Sequence, residues 1–287
     1  RELSLEQIKT LREELPDDLE LECFVHGSMC MAYSGRCLIS DFMAGRSALS
    51  GHCAQSCRWH YTLEEEKRPG EHYPIEEDAN GTYIMNAKDL NMLAHLDELE
   101  KAGIDSVKIE GRNKKAFYVA SVVNAYRQVL DGADPSELAG ELESVSHRPY
   151  STGFFFGNPG QDLASDGRQQ RVEWAAEVLS CTPLGGRRYR AEVRARNAFD
   201  VNDVLEVLSP HRPVRRVHIG KLRFCPESEE DGTEAPEPWP ESDRANRTME
   251  RYELESNVEL HPHDIIRKRL DCTGLRIPVP DSSLSSA

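Results

Sequence analysis

The strongest constraint on this chain is a group of four cysteines, Cys30, Cys37, Cys53 and Cys57, in a stretch rich in glycine and serine. Grouped thiols form disulfides, bind a metal or are buried as small apolar groups. Burial is disfavoured because the surrounding residues lack apolar periodicity. Disulfides are disfavoured because we see no secretory signal in the sequence. The spacing therefore indicates a metal–thiolate site.

This spacing leaves two kinds of metal site open. Structural zinc sites use tight pairs of cysteines, and only Cys53 and Cys57 form such a pair here. An iron–sulfur cluster also takes four thiolates and tolerates less regular spacing. Either metal group would hold together residues 26–61, which are predicted to be mostly loop and are longer than most loops.

Composition predicts a soluble protein. With 287 residues and 38% hydrophobic content, the chain is long enough for two domains. No apolar run approaches the ~20 residues that span a bilayer, so we expect a cytoplasmic protein without a membrane partner. The net charge of −15 argues against a broad basic surface of the kind that binds nucleic acid.

Two segments of this acidic chain carry a net positive charge. Residues 26–60 carry three arginines against one aspartate, a balance of +2, and residues 106–115 carry four basic residues against one glutamate, a balance of +3. Such segments would attract an anionic ligand, whether a carboxylate metabolite or a phosphate backbone. The alternative is that short basic stretches arise by chance in a chain with 35 basic residues.

The first half of the chain alternates between helix and strand patterns. A capping box at residues 4–7 starts a helix over 5–15, and residues 19–25 alternate as a strand before the cysteine-rich loop at 26–61. Asn80-Gly81 predicts a hairpin turn followed by a strand over 82–85. A helix over 86–102, a strand over 106–110 and a helix to residue 130 follow. This alternation is typical of an α/β fold with a parallel barrel or a doubly wound sheet.

Three charged residues stand at the end of the strand over 106–110. Lys108 and Glu110 are two residues apart and so share a strand face, and Arg112 lies just beyond them. A carboxylate between two cations is ionised and could fix an anionic substrate or orient a water molecule. A structural salt bridge is the alternative.

The second half has a different character. Residues 161–171 form a polar linker, and short strands follow within 172–275, a pattern that predicts a small β-barrel domain. The strands are predicted at 172–179, 188–195, 204–208, 214–221 and 257–260. Residues 226–243, rich in Glu, Pro and Ser, are predicted to be a disordered insertion, and residues 276–287 a tail.

The run from Glu22 to Ser40 resembles the collagenase-like peptidase U32 family. The matching positions are Glu22, Phe24, Gly27, Ser28, Met29, Cys30, Gly35, Cys37, Ile39 and Ser40. The similarity continues through Cys53, Cys57, Arg58 and Tyr61, and through the stretches at 66–70, 84–90, 108–112 and 147–154. It thus covers most of the first 157 residues.

The resemblance implies a fold and a chemistry. It implies that residues 1–160 are part of a (β/α) TIM-like barrel, ahead of the small β-barrel domain, and that a substantial upstream segment is missing from this chain. Several family members hold a 4Fe-4S cluster, here implied for Cys30, Cys37, Cys53 and Cys57. The nearest branch takes part in 5-hydroxylation of the wobble uridine of tRNA, with prephenate as a required metabolite.

This resemblance also suggests roles for the charged residues. Arg36, Arg58, Lys108 and Arg112 would bind the anionic metabolite or phosphate, and Glu22, His26 and Glu110 would move protons. Two other functions stay open. One is a U32-type peptidase built on Cys30 and His26, since a nucleophilic cysteine needs a basic partner. The other is a non-catalytic binding module that a bound zinc ion stabilises.

Overall fold

The computed structural model describes residues 1–30, 37–48, 50–59, 62–64, 72–74, 88–159, 170–225 and 239–270, with only the backbone at 58, 62–64 and 72–74. It divides into two compact units. The first comprises Arg1–Lys114 and His147–Arg168, and the second comprises Lys115–Ser146 and Gln169–Ala287. The predicted boundaries at 160 and 171 stay predictions, because most of the linker lies outside the described residues.

The first unit is a mixed α/β structure. Its helices are α1 (Leu5–Glu14), α2 (Ile39–Ala44) and α3 (Leu96–Lys101), with short 3₁₀ helices at Ser56–Arg58 and Leu93–His95. Its strands are β1 (Glu22–Ser28), β2 (Thr62–Glu64), β3 (His72–Pro74), β4 (Asp89–Asn91), β5 (Ser106–Ile109) and β6 (Tyr150–Ser151).

The main sheet of this unit has four strands in the order β5-β1-β4-β6. β1 pairs with β5 in parallel, whereas β1 and β4 are antiparallel. The α/β class is therefore confirmed. A TIM-like barrel is not, because the described strands form a mixed sheet rather than a parallel one.

The predicted capping box at the start of α1 is confirmed. The amide of Gln7 donates to Ser4 Oγ at 3.2 Å, and the amide of Ser4 donates to Gln7 Oε1 at 2.8 Å. These two bonds satisfy amides that a helix start leaves without partners. Leu5 and Ile8 bury one face of the helix.

The helix predicted over 86–102 is wrong in its first half. Residues 89–91 form β4, because Asp89 N donates to Pro149 O and Met92 N to Val25 O. Asn91 Oδ1 then accepts from Leu93 N, which starts the 3₁₀ turn. The leucines at helical spacing are still buried, so the apolar pattern located the core but not the element that carries it. The predicted strand over 82–85 lies outside the described residues.

The second unit joins two helices to a β-sheet. The helices are α4 (Ala116–Leu130) and α5 (Pro135–Ser144). The strands are β7 (Val172–Gly185), β8 (Arg188–Ala195), β9 (Phe199–Asp200), β10 (Leu205–Leu208), β11 (Arg215–Val217), β12 (Ile219–Cys225), β13 (Arg244–Ala245), β14 (Arg251–Ser256) and β15 (Ile265–Arg269).

Seven of these strands form one antiparallel sheet in the order β11-β10-β15-β7-β8-β14-β12. An all-β second domain was predicted, and its sheet is present. β11 and β12 are the two edge strands of this sheet. Among the described residues they do not pair with each other, so the sheet does not close into a barrel. The strand predicted over 257–260 is wrong, and the sequence analysis missed β14, β15 and α5. No helix in the described part of the chain is long and apolar enough to cross a membrane.

Candidate functional site

The site forms where β1 and β5 end at the same edge of the sheet. The two parallel strands bring Glu110 beside β1, and the Glu110 amide donates to His26 O at 2.8 Å. At Gly27, where φ is +111°, an added Cβ would lie 2.3 Å from Glu110 O. Only glycine allows the two segments to approach this closely.

A cavity of about 200 Å³ opens at this edge. All four clustered cysteines line it, together with Glu110 and Arg112. The other lining residues are Arg1, Ser28, Met29, Ala48, Gly51, Gln55, Asn113 and Lys114. The structure thus brings the four predicted metal ligands to one cavity along with two of the predicted charged residues. No three His, Cys, Asp or Glu side chains among the described residues converge on one point as a single metal ion requires.

Two hydrogen bonds, one from outside the cysteine-rich loop and one within it, hold the loop in place. Arg112 Nη2 donates to Ser50 O at 2.7 Å, on the turn that precedes Cys53. Inside the loop, the hydroxyl of buried Ser40 accepts from Ala54 N at 2.8 Å. These contacts tie α2 and the residues after β5 to the segment that carries Cys53 and Cys57.

Glu110 and Arg112 belong to one short turn. Glu110 Oε1 accepts a hydrogen bond from the Arg112 amide at 3.0 Å, so the carboxylate folds back over its own loop. Both side chains line the cavity. The pair combines an acceptor and a cation next to the thiols.

Glu22 and Lys108 are placed differently from the other predicted site residues. Lys108 Nζ lies 2.7 Å from Glu22 Oε1 in an exposed ion pair, and neither residue lines the cavity. The hydrogen bond from Lys108 lowers the pKa of the Glu22 carboxyl. Lys108 and Glu110 have different surroundings, because Lys108 lies on β5 beside Glu22 whereas Glu110 follows the end of β5 at Ile109 and lines the cavity. For Lys108, the geometry matches the alternative of a structural salt bridge.

His26 lies in the interior of the first unit. Its ring is 1% exposed, and its Nε2 lies 3.5 Å from the Tyr150 hydroxyl. Burial lowers its pKa from 6.5 to about 3, with further contributions from Lys114 and His147. The imidazole is therefore neutral near pH 7, and it is a weak base.

The sequence analysis gave no site role to four residues beside His26. Lys114 lines the cavity, and its ammonium lies 3.6 Å from the carboxylate of buried Asp89. His147 stacks on Tyr150 with ring centroids 4.3 Å apart. Lys114 was counted among the basic residues of 106–115, and His147 and Tyr150 lie in the family match at 147–154. Asp89 lies in the family match at 84–90, but its burial gave no signal, because a buried carboxylate cannot be told from an exposed one by sequence.

Two predicted substrate-binding residues cannot be placed. Arg36 lies outside the described residues, and Arg58 is described only by its backbone in the 3₁₀ helix Ser56–Arg58. Their roles stay predictions.

Comparison with known proteins places the chain in a family. The model of peptidase family U32 matches residues 1–165. The chain is 35% identical over 260 residues to the Escherichia coli tRNA hydroxylation protein P, covering 73% of this chain and 56% of that protein. It is 32% identical over 282 residues to the Bacillus subtilis tRNA hydroxylation protein P1, covering 93% and 62%.

A third relative acts on another RNA according to its name. The 23S rRNA 5-hydroxycytidine C2501 synthase of Escherichia coli is 41% identical over 146 residues, covering 51% of this chain and 21% of that protein. The chain spans only about 56–62% of the two tRNA hydroxylation proteins. Since the family model matches more than half of its residues, the chain belongs to peptidase family U32.

Proposed function

We propose that this protein takes part in RNA hydroxylation, with a uridine of tRNA as the target and carbon 5 of its ring as the position modified. The observation that carries the proposal is the cavity lined by four cysteines together with Arg112 and Lys114. Thiolates are a donor set for a metal cluster and the cations beside them suit an anionic ligand, and both features support the proposal. The relatives named for tRNA and rRNA hydroxylation support the same reaction class.

The cofactor we propose is a 4Fe-4S cluster held by Cys30, Cys37, Cys53 and Cys57. Four thiols around one cavity fit the donor set of such a cluster. Zinc is the alternative, but structural zinc sites use tight pairs of cysteines, and only Cys53 and Cys57 form such a pair. When bound, the cluster would supply redox chemistry that side chains perform poorly.

Arg112 would hold the anionic partner of the reaction, and Lys114, whose charge Asp89 partly offsets, would line the same cavity. Their ammonium and guanidinium groups reach the cavity from the turn after β5, and Asp89 and Ser50 orient them. A small carboxylate metabolite such as prephenate, or a phosphate of the RNA, fits this charge. Glu110 is then the carboxylate best placed to accept a proton, since His26 is buried and Glu22 lies in an ion pair outside the cavity.

The first unit is the better candidate for RNA contact. In the second unit, basic side chains along β8, β12 and β14 face glutamates from neighbouring strands. Arg223 lies 2.6 Å from Glu253, Arg190 lies 3.5 Å from the same carboxylate, and Arg251 pairs with Glu192. Paired arginines attract phosphates less than unpaired ones, because a nearby carboxylate offsets their charge.

A peptidase is the alternative that the family name suggests. It would use Cys30 as the nucleophile and His26 as its base. Burial of His26 and its lowered pKa make that histidine a poor proton acceptor for a thiol. The geometry therefore supports a peptidase less than a metal–thiolate site.

The test combines metal analysis with RNA analysis on the full-length protein. Purified without oxygen, it should contain about four irons and four sulfides per chain. A gene deletion should remove the hydroxylated uridine from tRNA, as measured by nucleoside mass spectrometry, and the wild-type gene should restore it. Cys53→Ser should lose both the iron and the modification. The matched control is Cys181→Ser, which changes a partly exposed cysteine of the second unit.

Each result separates the candidates. Zinc at one ion per chain with unaltered tRNA would favour the binding module. Peptide cleavage that survives Cys53→Ser but not Cys30→Ser would favour the peptidase. Cluster content and tRNA that are both unaffected by Cys53→Ser would overturn the proposal.

A further inference from the structure

An exposed apolar patch lies on the cysteine-rich loop. Its members are Leu38, Phe42, Met43 and Trp59, with exposed fractions of 52%, 85%, 50% and 44%. Single apolar side chains on a surface need no explanation, but several on one loop beside a cavity mark an interaction site. We call these four residues the loop patch.

The loop patch is built next to the cysteines that line the cavity. Leu38 follows Cys37 directly, and Trp59 follows the 3₁₀ helix that contains Cys57. Phe42 lies one helical turn after Leu38, and its amide donates to Leu38 O at 3.1 Å, so both side chains lie on the same side of α2.

α2 is held in place against the second part of the loop. The amide of Ala54 donates to Ser40 Oγ at 2.8 Å, and Ser40 is buried. Phe42 is therefore carried by a short helix whose inner side is anchored and whose outer side is exposed. An aromatic ring on such an element keeps its orientation when a ligand stacks on it.

The sequence segments that carry the loop patch and line the cavity have a net positive charge, which suits a polyanion. Residues 26–60 have a balance of +2 and residues 106–115 a balance of +3 within a chain of net charge −15. Proteins that bind unpaired RNA combine positive charge along the backbone with aromatic side chains on which bases stack.

We propose that Phe42 and Trp59 form a stacking platform for unpaired bases of the RNA, beside the cavity that holds the thiols. The inference rests on the proposed function, because it identifies the part of the substrate that this site holds. The target base must leave its own stack to reach the cavity. Stacking of the neighbouring bases on Phe42 and Trp59 would compensate for the base–base stacking that this movement breaks, and it would hold the RNA in place.

The test measures RNA affinity of the full-length protein by fluorescence anisotropy. The probes are a labelled RNA stem–loop with a seven-base unpaired loop and a fully paired RNA duplex of equal length. Stacking on an aromatic side chain contributes about 1–3 kcal/mol per base. Phe42→Ala and Trp59→Ala should therefore each weaken stem–loop binding by about 5-fold to 150-fold.

Conservative variants and a distant control sharpen the comparison. Phe42→Tyr and Trp59→Phe keep a ring and should retain affinity within about three-fold, since base stacking tolerates any aromatic face. Met249→Ala removes an apolar side chain that is 53% exposed in the second unit, and this variant should bind like the wild type. Affinity for the duplex should be the same for every variant, because a duplex offers no unpaired base.

Several results would overturn the platform. One is unchanged stem–loop affinity in both alanine variants. Another is a shift in oligomeric state or melting temperature without any loss of RNA affinity, which would show that protein covers the patch. The hydroxylated uridine content of tRNA tests the proposed function separately. If Phe42→Ala retains both affinity and modification while Cys53→Ser loses modification, the platform fails and the proposed function stands.

Discussion

The guanidinium of Arg112 lies directly against the backbone of Gly51. A methyl group on Gly51 would come within 1.4 Å of Arg112 Cζ, and φ at this residue is +82°. Gly45, in the same loop, also has a positive φ of +59°, but no atom lies within 4 Å of the position of its Cβ. Both sites favour glycine for backbone reasons, and only at Gly51 would an added Cβ also meet another group, the end of the Arg112 side chain.

Gly51→Ala should therefore damage the site more than Gly45→Ala. The added methyl group must displace the end of the Arg112 side chain and break its hydrogen bond to Ser50 O, whereas Gly45→Ala incurs only the left-handed penalty of about 1–2 kcal/mol. We expect iron content after anaerobic purification to fall several-fold in Gly51→Ala and to stay near wild type in Gly45→Ala. Equal iron content in the two variants would show that Arg112 does not position the cysteine loop.

The ion pair between Lys114 and Asp89 gives a prediction about stability. The side chain of Asp89 is 1% exposed and that of Lys114 is 11% exposed. Lys114→Met leaves a buried carboxylate without its counter-charge, which typically costs about 3–5 kcal/mol of unfolding free energy. Urea unfolding followed by circular dichroism measures the loss.

Two variants test whether that loss comes from the charge pair. Lys115→Met removes the neighbouring, exposed lysine and should change the unfolding free energy by less than about 0.5 kcal/mol. Adding Asp89→Asn to Lys114→Met removes the unpaired charge and should recover much of the stability. If the double variant is as unstable as the sum of the single changes, the two residues act independently.

Sequence patterns predicted features that depend on neighbouring residues. The capping box of α1 needs only residues 4–7, and the strand over 106–110 needs only its own alternation. The cysteine group was found for the same reason, since all four thiols come from one segment. In each case the information lies within a short window.

Features that depend on distant partners were missed. The short strand β4 exists because Val25 and Pro149 supply its backbone hydrogen bonds, and neither is near Asp89 in sequence. Lys108 binds Glu22 across two parallel strands, a contact that depends on their register. Closure of a barrel depends on pairing between the first and last strands, which residue patterns do not encode.

His26 predicts a change of stability with pH. Its pKa is lowered from 6.5 to about 3 by burial, by Lys114 and by His147, and Tyr150 and Asn91 are its hydrogen-bond partners. In the unfolded chain His26 binds a proton with a pKa near 6.5, whereas in the folded chain it stays neutral until the pH approaches 3. The contribution of His26 to the unfolding free energy is therefore complete above pH 6.5 and is lost as pH falls toward 3. At pH 5 the loss is about 2 kcal/mol.

The comparison variant is His26→Gln, which does not titrate. Unfolding free energy measured from pH 7 to pH 5 should fall by about 2 kcal/mol more in the wild type than in His26→Gln. Comparing the slopes of unfolding free energy against pH for the two proteins cancels the contributions of all other titrating groups, which both proteins share. Parallel curves would mean that His26 accepts a proton in the folded protein.

Thiol reactivity should separate the cavity cysteines from the others. Burial raises the pKa of Cys23 to about 11 and that of Cys225 to about 12, so neither forms much thiolate at pH 8. Cys30 is exposed at the cavity. In metal-free protein treated with iodoacetamide at pH 8, Cys30 should be alkylated about ten-fold faster or more than Cys23 and Cys225.

Loading the metal should then protect only the ligands. Peptide mass spectrometry before and after reconstitution with iron and sulfide should show protection of Cys30, Cys37, Cys53 and Cys57, because a coordinated thiolate is not available to the reagent. Cys181 lies in the second unit and should be alkylated at the same rate in both samples. Protection of Cys181, or continued alkylation of any of the four cavity cysteines, would mean that the ligand set differs from the one proposed.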